Sequence, residues 1–141
     1  MADGNGTKLA GKASYQTDSY IFNLNSTSAS SHSLQMGDSG KTYLLNGADA
    51  ARTITLPKVK SGLKFKFIAT DVTTASTIAT GEGTALIKGG ILLSTAWETL
   101  AGTTITATTD NVVGDWIELV SDGTYWYISG QSGHINGFTV A

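Results

Sequence analysis

The chain contains no cysteine among its 141 residues. This absence excludes disulfide scaffolds, thiolate zinc sites and cysteine nucleophiles together. Charged residues are also scarce, at 14% against roughly 25% in ordinary globular proteins, and the net charge is −2. Because no basic stripe is present to neutralise phosphates, we expect no nucleic-acid partner.

Long apolar runs are missing as well. No stretch reaches the roughly 20 apolar residues that a membrane-spanning helix needs. The N-terminal residues 1–6 have neither a basic nor an apolar signal-peptide region. We therefore expect a protein that is made in the cytoplasm and has no membrane partner.

Residues that carry chemistry are few and scattered. The two histidines, His32 and His134, fit no zinc-binding spacing, and only a meeting of three His134 copies on a threefold axis stays open as a metal arrangement. Residues 37–42 end in Gly-Lys-Thr like a phosphate loop, but the first glycine is misplaced and no helical pattern follows. Neither a serine-nucleophile motif nor a carboxylate cluster occurs. We expect no catalytic residue, no metal and no cofactor, and therefore no enzyme.

Glycine, serine and threonine take the place of the missing charges. Threonine suits the exposed face of a strand and glycine suits tight turns. Residues 52–56 and 63–67 alternate polar and apolar side chains with the period of a half-buried strand. Gly89 and Gly90 are expected to end a short strand, and residues 91–100 form either a strand or a short helical turn. The pattern predicts an all-β fold, a small antiparallel sandwich or a barrel-like domain of the β-tulip type.

The composition changes near residue 40, which divides the chain into an N-terminal arm (1–39) and a β domain (40–141). The arm is polar and close to low complexity between residues 23 and 31. A short apolar island, Tyr20-Ile21-Phe22, interrupts it. This island is either a strand added to a neighbouring strand or part of an arm that becomes ordered on a partner.

The strongest local signal is Asp122-Gly123 between the β-prone segments 116–121 and 124–129. It predicts a hairpin with a two-residue type I′ turn, in which Leu119 lies opposite Trp126. One face of this hairpin is apolar. The other is aromatic and polar, which is typical of a subunit interface but also of a second core layer. The first interpretation predicts an oligomer whose subunit contacts are Trp116, Glu118, Tyr125 and Tyr127.

Three segments together resemble a known family. The run Thr53-Ile54-Thr55-Leu56-Pro57, the segment 62–67 and the hairpin region 114–130 are similar to the β domains of tailed-phage capsid decoration and tail-fibre proteins. The resemblance covers about Gly40 to Gly130 and is most specific in its second half. Decoration proteins of marine phages are small β-rich homotrimers at threefold and quasi-threefold positions of an icosahedral shell.

The resemblance implies a structural protein on the capsid surface of the virion. Such a cement protein stabilises the shell by bridging subunits of the major capsid protein. On this hypothesis the N-terminal segment contacts the shell, and Tyr20, Ile21 and Phe22 are the candidate contact residues.

The same β unit also occurs in receptor-facing fibres. The alternative is therefore a receptor- or glycan-binding head domain of a tail fibre, in which Trp97, Trp116 or Tyr125 stacks on sugar rings. The sequence ends about a dozen residues after the hairpin, so we expect no fibre shaft, and this favours the decoration protein.

Overall fold

The computed structural model describes residues 21–23, 31–47, 50–84 and 86–141. These residues form twelve strands and one short 3₁₀ helix (Met36–Asp38), without an α-helix. The strands are β1 (Ile21–Asn23), β2 (Ser31–Ser33), β3 (Thr42–Asn46), β4 (Thr53–Thr55), β5 (Lys64–Asp71), β6 (Ser76–Ala79), β7 (Ile87–Leu93), β8 (Ala96–Gly102), β9 (Thr104–Ala107), β10 (Trp116–Ser121), β11 (Trp126–Ser132) and β12 (Phe138–Val140).

The strands form two sheets that pack face to face. The larger sheet has the order β1-β3-β5-β10-β11-β7-β8, and the smaller has the order β12-β9-β6-β4-β2. The prediction of an all-β sandwich is confirmed, and the sheets do not close into a barrel. The sheets are mixed where the sequence analysis expects an antiparallel sandwich, because five of the pairings among the described strands are parallel.

Four of these parallel pairings arise because the chain alternates between the two sheets from β1 to β6, and the fifth joins β7 to β11. Strands β1, β3 and β5 lie side by side in the larger sheet, and β2, β4 and β6 lie side by side in the smaller one. Between two neighbouring strands of one sheet, the chain forms one strand of the other sheet. The two neighbours therefore run in the same direction. The first half of the fold is thus three successive coils of the chain.

Side-chain alternation places the core between the sheets. In β5, Phe65 and Phe67 are fully buried and the intervening lysines point outward, as the sequence predicts. Tyr43 stacks on Phe67 with ring centroids 5.7 Å apart, and Trp126 lies 5.8 Å from Phe65. Full burial of a large apolar side chain contributes about 1.5–3 kcal/mol, so this row of rings is a main source of stability.

The segment 91–100 contains a strand, a turn and a second strand, and no helix. Strand β7 pairs with β8 through a two-residue turn that begins at Ser94, whose φ is 58°. The expectation that Gly89 and Gly90 end a strand is wrong, since both lie inside β7. The physical reason at Gly90 is space: a Cβ atom there would lie 2.7 Å from the indole of Trp97.

Two segments of the expected N-terminal arm pair with the sandwich. Strand β2 pairs in parallel with β4, and Leu34, the residue directly after β2, is only 2% exposed. The backbone of Ile21 and Phe22 lies in β1, which pairs in parallel with β3. The segment around Ile21 therefore has a place at the edge of the larger sheet, whereas Tyr20 lies outside the described residues.

Candidate interaction surface

The outer face of the larger sheet is the surface that carries the predicted contact residues. One face of this sheet packs on the core, and the described residues place no further layer on the other. Strands β5, β10 and β11 run along its middle. We call the outward residues at the hairpin the central patch, which consists of Trp116, Glu118, Val120, Tyr125 and Tyr127.

The β10–β11 hairpin is present, but its loop has four residues where the sequence predicts two. Ser121 pairs with Trp126, and Leu119 lies opposite Ile128. The predicted pairing of Leu119 with Trp126 is therefore wrong. Because the register differs by two residues, the strands keep their inward and outward faces.

The longer loop has a local electrostatic cause. Oδ1 of Asp122 accepts hydrogen bonds from the backbone N–H groups of Thr124, at 2.7 Å, and Tyr125, at 2.8 Å. This closes an Asx-type turn. Only Gly123 in the loop has a positive φ, 101°, whereas a type I′ turn needs two such residues. The loop therefore takes up Tyr125, which the prediction had placed in a strand.

Lysine side chains cover two aromatic rings of the central patch. Lys66 Nζ lies 4.7 Å from the ring centroid of Trp116, and Lys88 Nζ lies 3.6 Å from that of Tyr125. A cation over an aromatic face contributes about 0.5–1 kcal/mol at exposed sites. Both rings are half-buried, and each lies beside one of these ammonium groups.

The polar tips of the patch have partners within the chain. Glu118 Oε2 lies 3.5 Å from Lys64 Nζ. The Tyr127 hydroxyl donates a hydrogen bond of 3.1 Å to Asp122 Oδ2, and this bond raises the pKa of the tyrosine. The backbone amides of Tyr125 and Thr124 lower the pKa of Asp122, so this carboxylate stays charged and accepts the bonds.

The middle of the patch remains accessible. Val120 and Tyr127 are 41% and 44% exposed, and they lie directly opposite each other on β10 and β11. The structure thus brings Trp116, Glu118 and Tyr127 together on one sheet face, with Tyr125 at the adjoining loop. The arrangement offers apolar area with a charged margin.

A second exposed apolar surface lies at one end of the sandwich, and sequence reasoning missed it. Val112, Val113 and Ile135 are 51%, 66% and 50% exposed on the loops before β10 and after β11. We call these three residues the loop tip. The signal in the sequence is the pair of adjacent valines in a loop, where polar residues are usual.

A buried carboxylate holds the loop tip in shape. Asp115 is 7% exposed and accepts hydrogen bonds from Val112 N at 2.8 Å, Gly133 N at 2.9 Å and Ser132 Oγ at 2.6 Å. It therefore connects the two loops that carry the tip. His134, the axis candidate, lies beside it with Nδ1 3.8 Å from an oxygen of Asp110.

The described residues offer little for other kinds of site. No three His, Asp or Glu side chains there come together as a metal ion requires, and no helix there has the length and apolarity to cross a bilayer. A cleft between the sheets, lined in part by Asp71, Ser76 and Asn111, has room for about one water molecule. Ligand pockets usually have about 300–1,000 Å³, so this cleft is too small for an organic ligand.

The fold and the surface define a two-layer β-sandwich with an uncovered aromatic sheet face. No model of a known protein family matches the chain, and no curated protein gave a match to its sequence.

Proposed function

We propose that the chain is a non-enzymatic structural protein of a phage virion. It forms a homotrimer through the central patch and binds the outer surface of the icosahedral capsid, where it bridges subunits of the major capsid protein. The observation that supports self-association is the uncovered outer face with Val120 and Tyr127 exposed at its centre. The resemblance of residues 53–57, 62–67 and 114–130 to decoration proteins supports a role in the virion.

The composition of the central patch suits a protein–protein contact. Its exposed Val120 and Tyr127 supply apolar area, and Lys64 and Glu118 lie at the margin. Because the Tyr127 hydroxyl and the Glu118 carboxylate already have partners, their side chains lose less conformational freedom on assembly. The patch is therefore prearranged for a partner surface.

A closed trimer requires that the patch of one copy meets a different surface of the next copy. The loop tip supplies such a surface in this proposal, since Val112, Val113 and Ile135 are exposed and apolar. Charge also matches. The outer face carries three lysines (Lys64, Lys66 and Lys88) and one carboxylate, Glu118, so positive charge is in excess there. The exposed Asp110 lies beside the loop tip and supplies the opposite charge.

Capsid stabilisation follows from multiple attachment. Each contact with the shell is weak, but three linked copies bind together with a high effective concentration. Tyr20, Ile21 and Phe22 are the proposed capsid contacts. The backbone of Ile21 and Phe22 lies in the edge strand β1, so this segment is at a margin of the larger sheet and outside the central patch.

Co-sedimentation with purified capsids that lack this subunit tests the function. We expect the full chain to bind saturably and to raise the temperature at which the shells dissociate. Tyr20→Ser should weaken binding, whereas Lys60→Ser, a change at an exposed side chain outside the N-terminal arm, should not. Binding no greater than that of an unrelated protein of equal size would contradict the capsid role.

A further inference from the structure

Trp97 is 64% exposed, more than any other aromatic side chain in the described residues from 31 onward. It lies on β8, the edge strand of the larger sheet. A Cβ atom on Gly90 of the neighbouring strand would lie 2.7 Å from both Cε2 and Cζ2 of the indole. The indole therefore covers the bare backbone of Gly90, while most of the Trp97 side chain remains exposed.

The other aromatic residues that sequence analysis considered for stacking differ in one respect. Lys66 lies over the ring of Trp116, and Lys88 lies over the ring of Tyr125. Among the described residues no cation is placed over Trp97 in this way. Of these three aromatic residues, Trp97 presents a broad ring face that a ligand reaches without displacing an ammonium group.

The strand register extends this platform across the sheet. Trp97 lies opposite Leu92, Leu92 lies beside Gln131, and Gln131 lies opposite Trp116. Neighbouring strands are about 4.8 Å apart, so the backbones of the two tryptophans are about 14 Å apart. Gln131 is exposed between them and offers both hydrogen-bond donors and an acceptor.

Polar uncharged groups also lie beside the indole. Thr99 is exposed and pairs with Gly90, directly under the ring, and Ser129 is exposed on β11. A flat aromatic ring with hydroxyl and amide groups around it matches a sugar ring, which has an apolar C–H face and hydroxyl groups at its edge. These groups lie on three neighbouring strands of one sheet, β8, β7 and β11.

We propose that Trp97 is the stacking residue of a saccharide-binding site on the outer face of the larger sheet. One sugar ring packs its C–H face on the indole, and its hydroxyl groups bond to Thr99 and Gln131. The row that leads to Trp116 accommodates the following rings of an oligosaccharide. The stacking position at Trp97 lies outside the central patch, which this row reaches only at Trp116, and it does not depend on the capsid role.

An array of neutral, carboxylated and sulfated oligosaccharides provides the first test, with the full-length chain as the probe. The dissociation constants of the bound oligosaccharides are then measured by calorimetry for four variants. Trp97→Ala and Trp97→Leu should weaken binding by about tenfold or more, equivalent to about 1.4 kcal/mol. Trp97→Tyr should retain most of the affinity because it keeps a flat aromatic face. Met36→Ala, at another exposed apolar residue, should leave it unchanged.

The Leu and Tyr variants distinguish stacking from simple apolar contact. If Trp97→Leu binds as tightly as the wild type, or if no oligosaccharide on the array binds, the proposal is wrong. Circular dichroism verifies that each variant is folded, which the high exposure of the side chain favours. Capsid binding by Trp97→Ala is expected to be unchanged, so failure of this proposal and failure of the capsid role are distinguishable.

Discussion

Asp115 and Asp122 flank β10, and each closes a loop through its carboxylate. Asp115 is buried and connects two loops, with Val112 on one and Gly133 on the other. Asp122 is exposed and bonds within its own loop. The sequence places Asp122 in a turn, but nothing local to Asp115 reveals that Gly133 and Ser132 approach it. The two carboxylates should therefore differ in their contribution to stability.

Replacement of Asp115 by asparagine tests the buried network. Both carboxylate oxygens accept hydrogen bonds, so the new amide nitrogen must face Gly133 N or the pair Val112 N and Ser132 Oγ. A backbone donor then loses its acceptor, and the free energy of unfolding should fall by about 1–3 kcal/mol in chemical denaturation. Asp110→Asn is the matched control, since that side chain is 51% exposed, and it should change stability by about 0.5 kcal/mol or less. Equal effects of the two changes would contradict the network.

Acid titration tests Asp122. Its pKa in the folded chain is lowered below 3.8 by the backbone N–H groups of Tyr125 and Thr124. A lowered folded-state pKa means that the ionised carboxylate stabilises the fold above pH 3.8 and that this contribution disappears as the pH falls through the folded-state value. The wild type should therefore lose more stability than Asp122→Asn on acidification through this window. An NMR titration midpoint of Asp122 at or above 3.8 would oppose this account.

The hairpin shows how far local sequence determines an element. The two β-prone segments and their inward faces are predicted correctly, because alternation and β-branched or aromatic residues are local properties. The loop length is not, because the Asp122 carboxylate competes for the amides of Thr124 and Tyr125. As a result Trp116, Glu118 and Tyr127 share the predicted sheet face, whereas Tyr125 lies in the loop.

A glycine pair tests the loop conformation. Gly123 has a φ of +101°, so Gly123→Ala should cost about 1–2 kcal/mol of unfolding free energy. Gly37 has an ordinary φ and no atom near the position of a Cβ, so Gly37→Ala should be neutral or stabilise by up to about 1 kcal/mol. Thermal and urea unfolding of both variants provide the measurement. A loss at Gly37 as large as that at Gly123 would be inconsistent with the assigned turn.

The β7–β8 hairpin illustrates what local sequence leaves out. Gly89 and Gly90 resemble a strand end when only their neighbours in sequence are considered. In the folded chain Gly90 lies under Trp97, seven residues later, and the strand continues. The saccharide site proposed around Trp97 depends on this contact. The sequence therefore suggests Trp97 as a stacking residue but does not reveal that its indole covers Gly90.

At the scale of the whole molecule, the all-β sandwich is predictable and its topology is not. Composition and period-two patterns predict which side chains of β5 are buried, and Phe65 and Phe67 are among them. They do not establish that β3 and β5 are neighbours, since the chain passes through the other sheet between them. The loop tip depends on the same long-range geometry, because Val113 and Ile135 come from separate loops.

Sedimentation equilibrium of the full chain tests self-association through the central patch. One chain has a mass of 14.6 kDa, and the account predicts three times that mass at micromolar concentration. Tyr127→Asp adds a charge at a 44% exposed position without disturbing the core, so this variant should sediment as a monomer. Met36→Ser should sediment like the wild type. A wild-type mass of 14.6 kDa at every concentration tested would contradict the assembly.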